Sequence, residues 1–269
     1  MKTVLSVVIY TSLVINYLIL AGIGFAEITS EEIAGLWLFD EENGQKTRDI
    51  SGKANDGALV NDPKWVSGKF GEALEFDGKD DYVEMSLPDV FNDIPNNDFT
   101  ISFWVNVQDI SGSGTVWTRI MEARYDNSNY VQFDIQINDG ELGINVMDSG
   151  VERTIIVDSP ISADTWYHVT GTWGADEVSV KLYLDGVQQS TTGTTPASPG
   201  NQKTLNVGRR SDGSDLTYFD GIVDELAVFS VTLTEEEIDS LMEEGLKAIA
   251  AVSCLDKLAT TWGSVRTRY

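Results

Sequence analysis

The chain has 269 residues, 42% hydrophobic and 10% aromatic, and carries a formal net charge of −25. That apolar content can supply a core, which excludes global disorder, and the length suits one large β domain. The acidic excess repels phosphate backbones and anionic lipid headgroups, which argues against nucleic-acid binding, and it attracts divalent cations.

The first 26 residues stand apart. Lys2 precedes a long apolar run from Val4 to Phe25, closed by Gly24-Phe25-Ala26 and followed by Glu27. This is the layout of an n-region, an h-region and a small-x-small cleavage site, so residues 1–26 are expected to be a signal peptide. The run is also long enough to span a bilayer, and a retained anchor is the alternative. Either way the remainder is expected outside the cytoplasm, secreted, periplasmic or at the cell surface. Removing residues 1–26 removes Lys2 and no acid, which leaves a mature charge of −26. Most of those acids need no role beyond keeping an exported protein soluble.

From Ala34 to Phe229 short alternating segments are separated by Gly, Asp, Asn, Ser and Pro. Leu36–Phe39, Ala73–Phe76 and Tyr82–Met85 read as early strands. In Phe99–Val107 the residues Phe99, Ile101, Phe103, Val105 and Val107 share one face, as a period of two requires. Tyr130–Ile137 places Val131, Phe133, Ile135 and Ile137 on one side, and Asn138-Asp139-Gly140 turns it into Leu142–Val146. Thr154–Val157 and Trp166–Trp173 follow, then a hairpin that turns at Asp185-Gly186 between Val178–Leu184 and Val187–Thr191. Thr191 to Gly200 reads as a loop, and Thr204–Val207 and Ile222–Phe229 close the series. Strands at this spacing without intervening helices predict an antiparallel two-sheet sandwich or jelly roll.

Thr234-Glu-Glu-Glu237 is a capping box that opens one helix, with Ile238, Leu241 and Met242 as its apolar stripe. The tail, residues 247–269, is richer in cations (Lys257, Arg266, Arg268) and holds Trp262. Docking on the acidic domain, docking on a partner and disorder all remain open for it. Cys254 is the only cysteine, which excludes a disulfide within this chain. It reads as a bystander thiol, with intermolecular pairing the alternative.

Several segments together resemble the laminin-G-like, concanavalin-A-like jelly-roll domains of secreted bacterial proteins. They are Leu36–Glu41, the turn Asp49–Gly57, Gly68–Gly78 with Asp81-Tyr-Val83, Phe99–Val105 and Trp166–Val169. Leu182–Gly186, Gly221–Leu226 and Leu233–Ile238 complete the series. The likeness covers about residues 33–246. It implies two packed sheets, often a structural calcium ion, and a role in binding glycans or proteins; fold analogy alone names no ligand.

Calcium takes six to eight oxygen ligands held on loops. Asp40 after the first strand, Asp49 and Asn55 in the Gly-rich turn, and Asp224 in the last strand are the candidates. Pairing of the first and last strands would bring Asp40 and Asp224 together. Asx-turn and capping chemistry is the competing account, weakest for Asp224, which shares a face with Ile222, Leu226 and Val228.

Sugar binding uses aromatic rings with hydrogen-bonding groups nearby, on loops of a rigid frame. Trp117, Arg119, Arg124, Tyr125 and Tyr130 form one such stretch, and Arg209, Arg210, Asp212, Asp215 and Tyr218 another. Trp117, Arg124, Tyr125, Arg210 and Tyr218 are taken as candidate ligand contacts. Arg209 and Arg210 have a plainer alternative, the neutralisation of nearby acids. Trp37, Trp104, Trp166 and Trp173 lie at strand spacing and read as packing.

Catalysis finds no support in motifs. The E-x-D-x-x-E and E-x-D-x-E arrangements of the related hydrolases are missing, as are Walker, HExxH, CxxC and nucleophile-elbow signatures. His168 is the only histidine and reads as structural. The expectation is a secreted, non-catalytic module that binds carbohydrate and holds a structural calcium ion. A structural or adhesive surface protein that binds other proteins is the alternative, and a relative of a polysaccharide-cleaving enzyme is a third.

Overall fold

The computed structural model describes residues 28–93, 97–111, 117–125, 131–148, 151–176, 179–193, 204–210 and 217–250. The expected signal peptide, Cys254, Tyr130, Asp212 and Asp215 lie outside the described residues, as do the side chains of Arg124 and Tyr125.

In chain order the strands are β1 (Ile33–Trp37), β2 (Lys46–Thr47), β3 (Gly57–Val60), β4 (Lys64–Ser67), β5 (Glu72–Asp77) and β6 (Tyr82–Ser86). Then follow β7 (Phe99–Val107), β8 (Thr118–Tyr125), β9 (Val131–Asn138), β10 (Glu141–Asp148), β11 (Val151–Ile156) and β12 (Trp166–Gly174). The last are β13 (Ser179–Leu184), β14 (Val187–Gln188), β15 (Thr191–Gly193), β16 (Thr204–Val207) and β17 (Asp220–Phe229), with helix α1 at Glu235–Glu244. One sheet runs β14-β13-β12-β7-β17-β5-β4, with β1 also paired to β17. The other runs β15-β11-β10-β9-β8-β16-β6-β3-β2. The pairings are antiparallel, as the alternating pattern predicts.

The core lies between the sheets because both present β-branched and aromatic residues at every second position. Phe99, Ile101, Phe103, Val105 and Val107 of β7 are fully buried. From the facing sheet, Phe133, Ile135 and Ile137 of β9 and Leu142, Ile144 and Val146 of β10 join the same cluster. Phe99 and Phe133 meet edge-on with ring centroids 5.2 Å apart, and Phe91 packs 5.1 Å from Phe99. Burying each such ring stabilises the fold by about 1.5–3 kcal/mol.

A second apolar cluster covers the back of the first sheet. Ile238, Leu241 and Leu246 pack on Ile33, Leu36, Tyr183, Ala227 and Phe229 of β1, β13 and β17. The helix starts where the sequence places it. The Thr234 side chain accepts from the Glu237 N–H at 3.3 Å, and the Glu237 carboxylate accepts from the Thr234 N–H at 2.8 Å.

Two expectations need correction. Residues 118–125, expected as a loop, form β8, whose bulge between Arg119 and Met121 breaks the alternation that would have marked it as a strand. The start of the Thr191–Gly200 loop is β15, an edge strand on β11.

Candidate functional site

Successive side chains of a strand face opposite ways, so residues between the core positions of the second sheet point away from the core. Such residues are ordinarily solvated. Here Arg119, Glu122, Asp134, Gln136, Asn145, Thr154 and Asn206 are all buried, none more than 5% exposed. Register sets most of them in a row across the strands. Thr154 lies opposite Asn145, Asn145 opposite Asp134, Asp134 opposite Glu122, Glu122 opposite Asn206, and Asn206 opposite Glu84. A second row sets Arg119 opposite Gln136 and Gln136 opposite Gly143.

Much of this polar array is internally matched. Arg119 Nε lies 3.5 Å from Asp134 Oδ1, and its Nη1 donates to the Trp117 carbonyl at 2.9 Å. Thr154 Oγ1 donates to Asn145 Oδ1 at 3.3 Å. Arg209 donates to Asn206 Oδ1, pairs with Glu84 at 3.2 Å, and lies 3.6 Å over the Tyr82 ring. Among the described residues, neither polar atom of Gln136, nor Asn145 Nδ2, meets a hydrogen-bond partner. A buried amide without a partner costs roughly 1–3 kcal/mol, and strands do not carry such groups idly.

Of the sequence-predicted contacts, Trp117, Arg210 and Tyr218 gather at one end of this face, and Arg124 and Tyr125 lie at the other end of β8. Trp117 is half-buried, and its ring stands 3.8 Å from where a side chain on Gly143 would begin, two strands away. Thr217 Oγ1 donates to the Trp117 carbonyl at 3.5 Å, and the Arg210 N–H donates to the Thr217 carbonyl at 3.1 Å. Tyr218 pairs with Arg209 in an isolated bridge, so Trp117, Arg210 and Tyr218 share one neighbourhood. Arg124 and Tyr125 end β8. Arg209 does neutralise an acid, Glu84. Sequence reasoning missed Glu122, Gln136, Asn145 and Asn206, because polar residues alternating with apolar ones are the usual mark of a wetted face.

The four proposed calcium ligands divide into two arrangements. Asp49 Oδ1 accepts from the Leu36 and Ser51 N–H groups at 3.0 and 2.9 Å. Its Oδ2 accepts from Asn55 N and Nδ2 at 2.9 and 3.1 Å, and Asn55 also donates to the Ala34 carbonyl at 3.0 Å. A carboxylate surrounded by N–H donors fits a turn anchor, not a calcium shell. Asp40 and Asp224 both hold the turn between β4 and β5. Asp40 Oδ1 accepts from the Glu72 N–H and Asp224 Oδ2 from the Phe70 N–H, each at 2.9 Å. Asp40 occupies the space that a side chain on Gly71 would need, and the Lys247 ammonium lies 2.7 Å from its Oδ2.

Burial pushes the Asp224 carboxyl up to about 7 against the Phe70 N–H, and the Glu225 charge adds to the rise. Glu225 is likewise pushed up to about 7 by burial, against the Leu246 N–H that it accepts. Among the described residues, Asp77, Asp80 and Asp81 are the carboxylates whose oxygens fall within 4.8 Å of one another.

The family profile of the concanavalin A-like lectin/glucanases superfamily (Laminin_G_3) matches residues 77–239. The chain belongs to this superfamily. A search of curated proteins gave no match. Among solved structures, this concanavalin A-like domain is similar to the receptor binding domain of botulinum neurotoxin C/D mosaic serotype, at 17% identity and a TM-score of 0.60. That match covers 81% of this chain and 52% of the toxin domain, so the chain spans about half of that relative's length. It is also similar to domain 4 of AbnA, an extracellular arabinanase from Geobacillus stearothermophilus, solved in complex with arabinotriose. There the identity is 18%, the TM-score 0.56, and the coverage 78% of this chain and 98% of that one. A botulinum neurotoxin type C structure, described as dependent on two ganglioside molecules for cell entry, matches at 18% identity and a TM-score of 0.57. It covers 80% of this chain and 51% of the toxin chain.

In this concanavalin A-like domain the single histidine lies in the sheet backed by α1. His168 Nε2 and Ser102 Oγ are 2.9 Å apart, and Thr170 Oγ1 donates to Ser102 at 3.1 Å. A serine therefore does stand beside it, which sequence spacing did not show. Burial, with Lys69 nearby, pulls His168 down to about 4, so the ring is neutral. Among the described residues its Nδ1 meets no hydrogen-bond partner, so none of their carboxylates orients the ring as a hydrolytic triad requires.

Proposed function

We propose that this chain is an exported, non-catalytic carbohydrate-binding module that takes its glycan on the outer face of the nine-stranded sheet. One observation carries the reading: a buried polar row with amides that find no protein partner, beside an aromatic ring. Hydroxyl-rich ligands present the donors and acceptors such a row lacks. The two structural relatives described with arabinotriose and with gangliosides support it as analogues. Asp40, Asp49, Asn55 and Asp224 serve the fold in this reading, as anchors of two turns.

The test is a glycan array probed with the chain from Glu27 onward. Retention of at least one glycan, lost with Trp117→Ala or Asn145→Ala, is the expected result. Retention of none, with the wild type correctly folded, would end the reading in favour of a protein-binding surface module. Export rests on residues 1–26; a secreted product starting at Glu27 is expected, and one starting at Met1 in the membrane fraction would identify an anchor. Among the described residues no helix is long and apolar enough to cross a membrane.

A further inference from the structure

We infer that the cleft between β1, the Asp49–Gly57 turn and the turn that joins β12 to β13 binds an organic cation, a ligand carrying an ammonium or guanidinium group. This site is independent of the glycan reading. The cleft holds about 620 Å³, within the size range of small-ligand pockets, and Ile33, Ala34, Asn55 and Ala175 are among its walls. It is open to solvent, because Glu31, Lys53, Asp89, Asp98 and Asp176, which also line it, are exposed. Its walls are tied to one another. Asp98 Oδ1 accepts from the Ala175 N–H at 2.7 Å, and Asn97 Nδ2 donates to the Val90 carbonyl at 3.1 Å.

Asn55 aims an acceptor into this space. It is only 9% exposed, and its Nδ2 is committed twice, to the Ala34 carbonyl at 3.0 Å and to Asp49 Oδ2 at 3.1 Å. Both partners can only accept, which fixes the amide with its nitrogen inward and its oxygen at the opposite corner. The Asn55 backbone is held as well, its N–H by Asp49 Oδ2 and its carbonyl by Trp37 Nε1. Among the described residues Oδ1 has no donor, and it is not sealed from solvent, so it opens on the cleft that Asn55 lines.

The charges name the class of donor. Among the described lining residues, Glu31, Asp89, Asp98 and Asp176 stand against one cation, Lys53. That surplus attracts a cation and repels an anion. A metal ion is a poor occupant. Among the described residues the carboxylates that converge within 4.8 Å are Asp77, Asp80 and Asp81, none of which lines this cleft. Carboxylates spread around a neutral amide oxygen suit a larger cation with several N–H groups. One source lies in this chain: residues 251–269 carry Lys257, Arg266 and Arg268 against Asp256. They follow Ile249 and Ala250, which pack on the apolar cluster that contains the cleft residue Ile33. An external amine is the other source.

Calorimetric titration of the full chain with cadaverine, a linear diamine, tests the site, with the pentanediol of equal length as its uncharged isostere. Saturable binding of the diamine and none of the diol is expected. Glu31→Gln/Asp176→Asn, at two exposed positions, should weaken the diamine about fivefold or more with an unchanged melting temperature. Glu243→Gln/Glu244→Gln removes as many charges from exposed positions of α1 and should leave the affinity in place. Tighter binding by Lys257→Gln/Arg266→Gln/Arg268→Gln identifies the tail as the resident cation, and unchanged affinity assigns the cleft to an external amine. Equal losses in the two acidic double variants, or equal binding of the diol, overturns the inference. So does the absence of saturable diamine binding in both the wild type and the triple variant.

Discussion

Glu122 and Asp134 face each other across β8 and β9, both without solvent exposure, and the Arg119 guanidinium lies 3.5 Å from Asp134. Breaking a buried ion pair by removing one partner leaves the other charge uncompensated. Asp134→Asn is therefore expected to destabilise by on the order of 3 kcal/mol, roughly 6–12 °C in melting temperature. Glu122→Gln leaves the Arg119–Asp134 pair in place and should cost less. Scanning calorimetry of both variants decides it, and equal losses would show that the two acids act as one unit.

Two acids on adjacent strands are also what a glycosidase would display, with retaining enzymes placing them about 5 Å apart. A binding module releases no reducing ends from neutral polysaccharides, and that is the expected outcome. Release that disappears in Glu122→Gln would make the domain an enzyme.

Asp49 answers the buried N–H groups of Leu36, Ser51 and Asn55 at once. Asp49→Ala strands all three and should cost about 3 kcal/mol or more. Because those lone pairs face N–H groups, excess EDTA should leave the melting temperature of the wild type in place. A chelator-induced drop would instead direct attention to Asp77, Asp80 and Asp81.

Asp224 and Glu225 link stability to pH. Both are held up to about 7, above their ordinary values of 3.8 and 4.5. Between those ranges the native state retains protons that the unfolded chain has lost, so stability falls as pH rises toward 7 and levels off above it. Melting temperature should thus decline by a few degrees, roughly, from pH 5 to pH 7.5. The Asp224→Asn/Glu225→Gln double variant should flatten that slope. Parallel curves for wild type and variant would assign the slope to general charge repulsion.

Gly71 has a φ of 72° and no room for a side chain beside Asp40. Gly71→Ala should destabilise by about 1–3 kcal/mol through strain and displacement of that carboxylate. A variant that melts with the wild type would show that the turn relaxes freely.

The sandwich was legible where alternation is unbroken, as in β7 and β9, because a period of two buries one face whatever the partner. The proximity of Asp40 and Asp224 was legible too, through the pairing of β1 with β17. Their task was not, since the turn they hold is recognised by contacts with Phe70 and Glu72, distant in sequence. The polar row was hidden for a related reason. Gln136 and Asn145 look like surface residues in their own strands, and only the register that sets Asp134 between Asn145 and Glu122 shows a continuous array. Trp117 was singled out by residue type alone, whereas Gly143, the glycine its ring packs beside, sits on another strand.

The pairing of β1 with β17 has a topological consequence. Ile28, at one end of the described chain, and Ile249, near the other, pack into the same apolar cluster. The two flanks of the sandwich thus stand side by side, on the opposite side from the polar row. Such a body can be spliced between consecutive segments of a host polypeptide, or displayed in tandem, with short connectors and the outer face of the nine-stranded sheet turned away from them.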